Sequence, residues 1–466
     1  MALPSYAPRL RTALVFCGTG TAGAYHAGVL RALSEAGIKI DVLAAHGAGG
    51  IAAVSGASDN SADLWSSSGP WATDRMRRAY RWRASLRTCG WGVLTAAALL
   101  LAPLAVLIVA TGVYGASVVA TLINLPSIGE WLVSAYQRLL AFLFAPPILP
   151  TIIPRAVVLA VLVVVVVLAA AAIGARRRET SRRRVHGAVW WRVFGQPLDP
   201  REPEATVMQA LRRVTPAPPG STDREMSNRF VELLTENFGQ PGFREVILGV
   251  HDLDARRDVV AAVLAPQWRQ AFGQRRVGAG PRESEAVDLA SGGAEERGLA
   301  LDFVLAGLRL PAASAPHEVT FPDKSYWQGE THRWCDRPEL VGRLIDELAR
   351  VGVEQVILTG AAPPAATPHD MRPRALDLRT RMGETLRSVE TAAFQDAWAA
   401  AVGRFSGVFT IRPGHNPLGP FDFGGVYDES SDRMRTVAEL MQQGHDDAYR
   451  QFIEPVVATG ERLADI

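Results

Sequence analysis

Residue types able to do covalent chemistry gather in one short stretch near the N-terminus. Within Leu14–Ala53 an apolar run ends at Cys17, a glycine-rich loop (Gly18–Gly23) carries Thr19 and Thr21, and a second glycine turn spans His46–Gly50. A buried strand feeding a helix through a sharp glycine turn is the geometry of a nucleophile elbow, which projects one residue above a parallel sheet. In acyl transfer that residue is a serine, with backbone N–H groups nearby to hold the oxyanion. This turn contains no serine, and no G-x-S-x-G occurs elsewhere in the chain. His46 is a candidate base or nucleophile; its plainer reading is a turn residue bonded to polar backbone. Cys17 is a candidate thiolate, or a small buried hydrophobe. Thr19 and Thr21 have no evident base and read as locally bonded hydroxyls.

Positioning these groups requires a strand at Leu14–Cys17, a helix over Ala24–Ala36, a strand at Ile40–Ala44 and a helix opening at the second turn. Further along, the patterning predicts a helix at Phe230–Phe238 and strands at Glu245–Val250 and Asp258–Leu264. It then gives a mobile Gly-rich loop at Gln270–Gly298, helices at Leu299–Leu308 and Pro338–Val351, and strands at Glu354–Thr359 and Val408–Ile411. A last helix is expected over Ser431–Phe452. Strands alternating with helices make this an α/β chain with a mainly parallel sheet covered on both faces.

The 466 residues carry a net charge of +2, which gives no reason to expect nucleic acid as a partner. Cys17, Cys89 and Cys335 are scattered without a CxxC, arguing for a reducing compartment and against structural zinc. His415, Asp422, Asp428 and Asp432 fit no ligand spacing and read as a polar loop. No metal or cofactor is expected. The opening residues lack the apolar core of a signal peptide.

Charge segregates sharply in the middle of the chain. Six arginines lie in Asp74–Arg87, after which Thr88–Gly129 has no charged residue; a second charge-free run, Ala156–Ala175, is bounded by Arg155 and Arg176. About 20 apolar residues span a bilayer, so membrane spans are expected near 91–113 and 156–175. Basic flanks on both outer ends, with only Glu130 and Arg138 in the connector, put the flanks on the cytoplasmic side and make the pair a hairpin. Trp82, Trp91, Trp131, Trp190 and Trp191 fall near the expected ends, where indoles favour the interface. Gly129–Phe144 is amphipathic and could lie on the outer surface.

The register of residues 14–51 resembles the patatin-like lipid acyl hydrolases. Gly18, Gly20 and Gly23 match the glycines of that family's oxyanion loop; His26, Gly28, Val29, Leu30, Leu33, Gly37 and Ile38 match its following helix, and Asp41 and Leu43 its next strand. Glu245–Leu264 and Ala306–Trp327 resemble later segments more loosely, and Phe421–Phe423 is similar to some bacterial members. The resemblance implies a three-layer patatin-like fold with the hairpin inserted. It also implies a loop lined by Gly18, Thr19, Gly20, Thr21, Ala22, Gly23, Ala48 and Gly49 for oxyanion or lipid, and a Ser–Asp dyad. Carried over, the elbow reads Ala45–His46–Gly47–Ala48–Gly49, so the nucleophile position is Gly47. The family's loop arginine falls at Ala22. The acid motif falls on Tyr326–Trp327–Gln328–Gly329–Glu330, with Gln328 at the aspartate position and Glu330 a nearby substitute acid.

The organisation expected is therefore 1–72 as the N-terminal part of the domain, 73–192 as the inserted hairpin, 193–225 as a Pro-rich linker, and 226–466 as the C-terminal part. A kept fold without its catalyst points to a membrane-anchored pseudoenzyme that holds a membrane lipid, an acyl group or a protein partner at the cytoplasmic face. The alternatives are an active phospholipase with a displaced nucleophile such as Cys17 or His46, and a membrane scaffold or sensor built on the hairpin.

Overall fold

The computed structural model describes residues 6–58, 61–66, 68–178, 195–215, 218, 220–273, 285–323, 325–364 and 377–457. The chain divides into two units, Met1–Arg81 with Leu198–Ile466, and Trp82–Pro197.

In the first unit one sheet runs in the order Gly407–Ile411, Gln355–Gly360, Thr12–Cys17, Val42–Ala45, Glu245–Asp252, Arg257–Val263, Ala286–Asp288. The first five are parallel, and Arg257–Val263 returns antiparallel through a tight turn. Thr12–Cys17, Val42–Ala45 and Gln355–Gly360 are buried at every residue, which is why they read as unbroken apolar runs rather than alternating ones. The strand period of two sorts the faces. Ala13, Val15 and Cys17 enter a core closed by Val341, Leu344 and Leu348 of helix Leu340–Arg350 and by Phe394 and Ala397 of helix Leu378–Val402. Phe16 faces the opposite layer, against His26 of helix Ala22–Glu35 and the backbone of helix Gly49–Gly56.

Helix Ala22–Glu35 is buried nearly all round, as expected of a helix with a wide Ala/Gly face between two layers. Its outer neighbour is the late helix Val437–Ala448. A Cβ on Gly28 would lie 1.8 Å from the Met441 carbonyl oxygen, so the two backbones touch there. Gly28→Ala is accordingly expected to force the helices apart and to destabilise by about 1–3 kcal/mol, the range for overpacking. Urea unfolding checks it, and an unchanged midpoint would contradict this packing.

Among its described residues the second unit contains three helices, Ala84–Leu122, Pro126–Leu143 and Leu149–Arg178. Ala84–Leu122 and the stretch Pro150–Gly174 contain 18-residue windows of mean hydropathy 2.7 and 3.4, and are long and apolar enough to cross a membrane. Leu100, Leu107, Val158 and Leu162 are exposed along them. The first helix accommodates Pro103 and continues past Val113 to Leu122. The connector is itself helical and packs beside the first helix, Tyr136 donating its hydroxyl proton to the Val106 carbonyl at 2.6 Å.

Several expectations are corrected. The Pro-rich 193–225 is no simple linker: Arg201–Val214 is a helix burying Val207, Ala210, Leu211 and Val214, its apolar stripe hidden in the sequence by surrounding prolines and charges. Gln270–Gly298 contains a strand, Ala286–Asp288, that closes the sheet edge. Ser431 lies in the turn of a small hairpin, Val426–Asp428 with Arg433–Arg435, and the helix starts only after Thr436, whose side chain caps it with Glu439. Residues 274–284, Arg182–Arg184, Trp190 and Trp191 lie outside the described residues.

Candidate functional site

Strand Val42–Ala45 passes into helix Gly49–Gly56 through His46, Gly47 and Ala48. Gly47 has φ +60, the left-handed conformation an elbow imposes on its central residue. The turn is pinned to the glycine loop, Ala48 N–H donating to the Gly18 carbonyl at 3.1 Å. A Cβ on Gly47 would lie 2.6 Å from the Gly18 oxygen and 2.7 Å from Asp336 Oδ2. The centre of the elbow is therefore occupied.

Asp336 follows strand Thr331–Cys335 and is completely buried, its backbone N–H donating to the Arg309 carbonyl. Its Oδ1 accepts from His46 Nδ1 at 2.9 Å, and both side chains are shut off from solvent. Burial by itself drives the His46 imidazole down, but the Asp336 carboxylate reverses this and holds it up at about 10. His46 is thus an imidazolium at neutral pH, paired with the carboxylate that abuts Gly47. Among the described residues Asp336 Oδ2 has no hydrogen-bond partner, and the Cys17 thiol beside the imidazole adds to its rise.

The expected acid position lies elsewhere. Gln328 is exposed in the turn that joins strands His317–Thr320 and Thr331–Cys335. Glu330 is likewise exposed, its carboxylate 3.4 Å from His332. Neither reaches the elbow. Tyr326–Glu330 precedes strand Thr331–Cys335, and Asp336 follows that strand. The signal available was the carboxylate directly after an apolar alternation, Trp334–Cys335–Asp336.

The glycine loop is closed in the same self-sufficient way. Thr19 N–H and Oγ1–H both donate to Glu390 Oε1, at 2.9 and 2.5 Å. Thr21 N–H donates to the Pro420 carbonyl at 3.1 Å and its hydroxyl to the Gly419 carbonyl at 2.8 Å. Ala22 and Gly23 N–H turn back onto Thr19 and Gly20 carbonyls. A Cβ on Gly20 would meet the Pro420 oxygen at 1.8 Å, so residues 419–420 lie directly on the loop. Gly49 N–H donates to His46 within the turn. Thr19, Thr21, Ala22 and Ala48 are all buried.

Glu390 comes from helix Leu378–Val402, an element the sequence pattern did not disclose. Burial pushes its carboxyl up to about 7, the two Thr19 bonds opposing and the Asp336 charge adding to the rise.

Cys17 is buried at the strand end, its carbonyl accepting from His26 Nε2 at 3.1 Å. Burial, partly offset by that bond, lowers the His26 imidazole to about 3, so it stands neutral as a structural donor. Cys17, His46, Glu390 and Phe394 share a cavity of only about 10 Å³, room for about one water molecule.

The other acidic cluster is structural. His415 donates to Asp428 at 3.0 Å, Asp422 accepts from Gly419 N–H, and Asp432 accepts from the Tyr427 hydroxyl. Among the described residues no group of three His, Cys, Asp or Glu is arranged to hold a metal ion.

Comparison with known proteins gives a family and likenesses to solved structures. A family profile described as patatin-like phospholipase matches residues 14–336, ending on the aspartate beside the elbow. No curated protein matches the chain. Among solved structures, VipD from Legionella pneumophila aligns with 12% identity and a TM-score of 0.32, over 96% of this chain and 67% of that one.

Proposed function

This chain belongs to the patatin-like phospholipase family, and from that premise we propose that it is a non-hydrolytic member, anchored in a membrane by its helical hairpin, that binds rather than turns over an acyl ligand. One observation carries the reading: at the nucleophile position stands Gly47, with the space for a side chain taken by Gly18 and Asp336. A serine hydrolase needs a hydroxyl there, a carboxylate free to take its proton, and open donors for the oxyanion. Here the hydroxyl is gone, Asp336 is committed to an imidazolium, and the Thr19 donors are committed to Glu390.

The anchoring part rests on the apolar lengths of the two helices and on the arginines at their outer flanks. By the charge rule those flanks, and the domain they join, lie on the cytoplasmic side. Membrane lipid is then the partner at hand.

A second reading, acyl transfer through Cys17, is favoured by the shared lining of Cys17 and His46 and by the thiol's contact with the imidazole. A cavity of about 10 Å³ admits no ester, so binding without turnover stands ahead of it. The purified full chain in nanodiscs, incubated with a fluorophosphonate probe and with an acyl-thioester probe, separates the readings. No adduct is expected from either probe; an adduct mapped to Cys17 or His46 would favour the second.

A further inference from the structure

Six arginines and a single acid, Asp74, occupy residues 74–87, directly before the first charge-free run. The segment is held in place by its apolar residues. Trp71, Met76, Ala79 and Tyr80 are buried, and the Tyr80 hydroxyl donates to the Leu308 carbonyl at 2.6 Å while its ring packs against Phe421 and Phe423. Tyr80 has φ +50, a left-handed conformation that a bulky residue keeps only where its surroundings fix it. Between these anchors the short turn Met76–Arg78 and the residues beside it leave Arg75, Arg77, Arg78 and Arg81 exposed. Arg75 lies 3.3 Å from Glu202 and Arg77 3.7 Å from Asp74, in pairs open to solvent, and such pairs are worth little. Arg78 and Arg81 have no ion-pair or hydrogen-bond partner among the described residues.

We propose that Arg77, Arg78 and Arg81, with Arg75 beside them, form a binding surface for the phosphate head groups of anionic lipids in the cytoplasmic leaflet. The inference rests on the anchored part of the reading above and goes beyond it, since the arginines select a lipid class as well as orienting the helices. Three observations carry it. The guanidinium groups stand in a row with most of their charge uncompensated, and each fork can give two parallel N–H donors to one phosphate. Only Trp82 and Arg83 separate Arg81 from helix Ala84–Leu122, so the turn is tied by two residues to the element that enters the bilayer. A basic cluster directly cytoplasmic of a spanning helix is drawn to the negative potential of that leaflet, by about fivefold in affinity per side chain. Finally, the buried Met76 and Tyr80 have already fixed the backbone, so binding orders only the arginine side chains.

The test titrates the full chain in dodecylmaltoside micelles with dioleoylphosphatidylglycerol or dioleoylphosphatidylcholine, reading binding by thermophoresis in about 0.1 M and about 1 M salt. The wild type is expected to prefer the anionic lipid by about tenfold or more at low salt and to lose most of that preference at high salt. The triple variant Arg77→Gln, Arg78→Gln, Arg81→Gln is expected to prefer it by about twofold or less. Lysine at the same three positions keeps the charge and is expected to keep most of the preference. Glutamine at Arg229, Arg404 and Arg433, exposed elsewhere on the domain, removes as much charge and is expected to change nothing. Equal affinity for the two lipids, an equal loss in the distant variant, or displacement of the lipid by inorganic phosphate or an oligonucleotide at like concentration would overturn the proposal. Alkaline carbonate washing of membranes carrying the chain keeps the two readings apart. Release by the wash defeats the anchoring; retention without a preference for the anionic lipid defeats this inference alone.

Discussion

Asp336→Ala is expected to destabilise the domain by about 3–5 kcal/mol, the typical effect of removing one partner from a buried ion pair. His46 would be left as an unpaired imidazole in a site with no exposure, with a small void beside Gly47. Against a total stability of about 5–15 kcal/mol, that is enough to make the variant marginal. Asp336→Asn, which keeps the shape and an acceptor, should lose less. His46→Ala combined with Asp336→Ala should recover part of the loss, because neither charge is then orphaned; chemical denaturation of the four species closes the cycle. Simple additivity would contradict the pairing.

The same pair predicts a direction with pH. The folded value of His46 is raised to about 10 from an unfolded value near 6.5. Its stabilisation is therefore complete below about pH 6.5 and lost as pH rises through 10. Glu390, raised to about 7 from roughly 4.3, contributes with the same sign over a lower window, lost as pH rises from about 4 to 7. Wild type should decline in stability from acid to alkaline conditions, with the step between pH 7 and 10 missing in His46→Ala.

The second large effect concerns the elbow itself. Restoring the family's nucleophile by Gly47→Ser is expected to yield no hydrolase and a less stable protein. A serine at φ +60 carries roughly 1–2 kcal/mol of backbone strain, and its Cβ must displace the Gly18 carbonyl or the Asp336 carboxylate, adding about 1–3 kcal/mol of overpacking. Displacing Asp336 also disturbs its bond to His46. A melting temperature lowered by several degrees, with no p-nitrophenyl ester turnover, is the expected pair of results. A stable Gly47→Ser protein with esterase activity would show that the loss of one hydroxyl was the whole difference.

The parts of this fold written in short-range pattern were legible. The strand ending at Cys17, the helix after it and the glycine turn at His46 all follow from apolar runs punctuated by glycine, and the match to the family profile begins at the same Leu14. The turn's missing serine was visible without coordinates. What escaped were contacts between residues far apart in sequence. Asp336 meets His46 across 290 positions and Glu390 meets Thr19 across 371, and no local signal encodes either. Gln328 stands at the acid position by sequence because its tyrosine and glycine neighbours match the motif, whereas the sheet brings the end of the next strand to the elbow. Helix Leu378–Val402 was missed because its buried face is small and intermittent, Gly383, Ala393, Phe394, Ala397 and Ala401 among many charges. The Arg201–Val214 helix was hidden in the same way by its prolines.

The most direct measurement of the central claim is steady-state release of fatty acid from phospholipid vesicles and from p-nitrophenyl esters by the purified full chain, with His46→Ala and Cys17→Ala alongside. The account predicts release indistinguishable from the protein-free rate for all three proteins. Saturable release by the wild type that either substitution abolishes would contradict it.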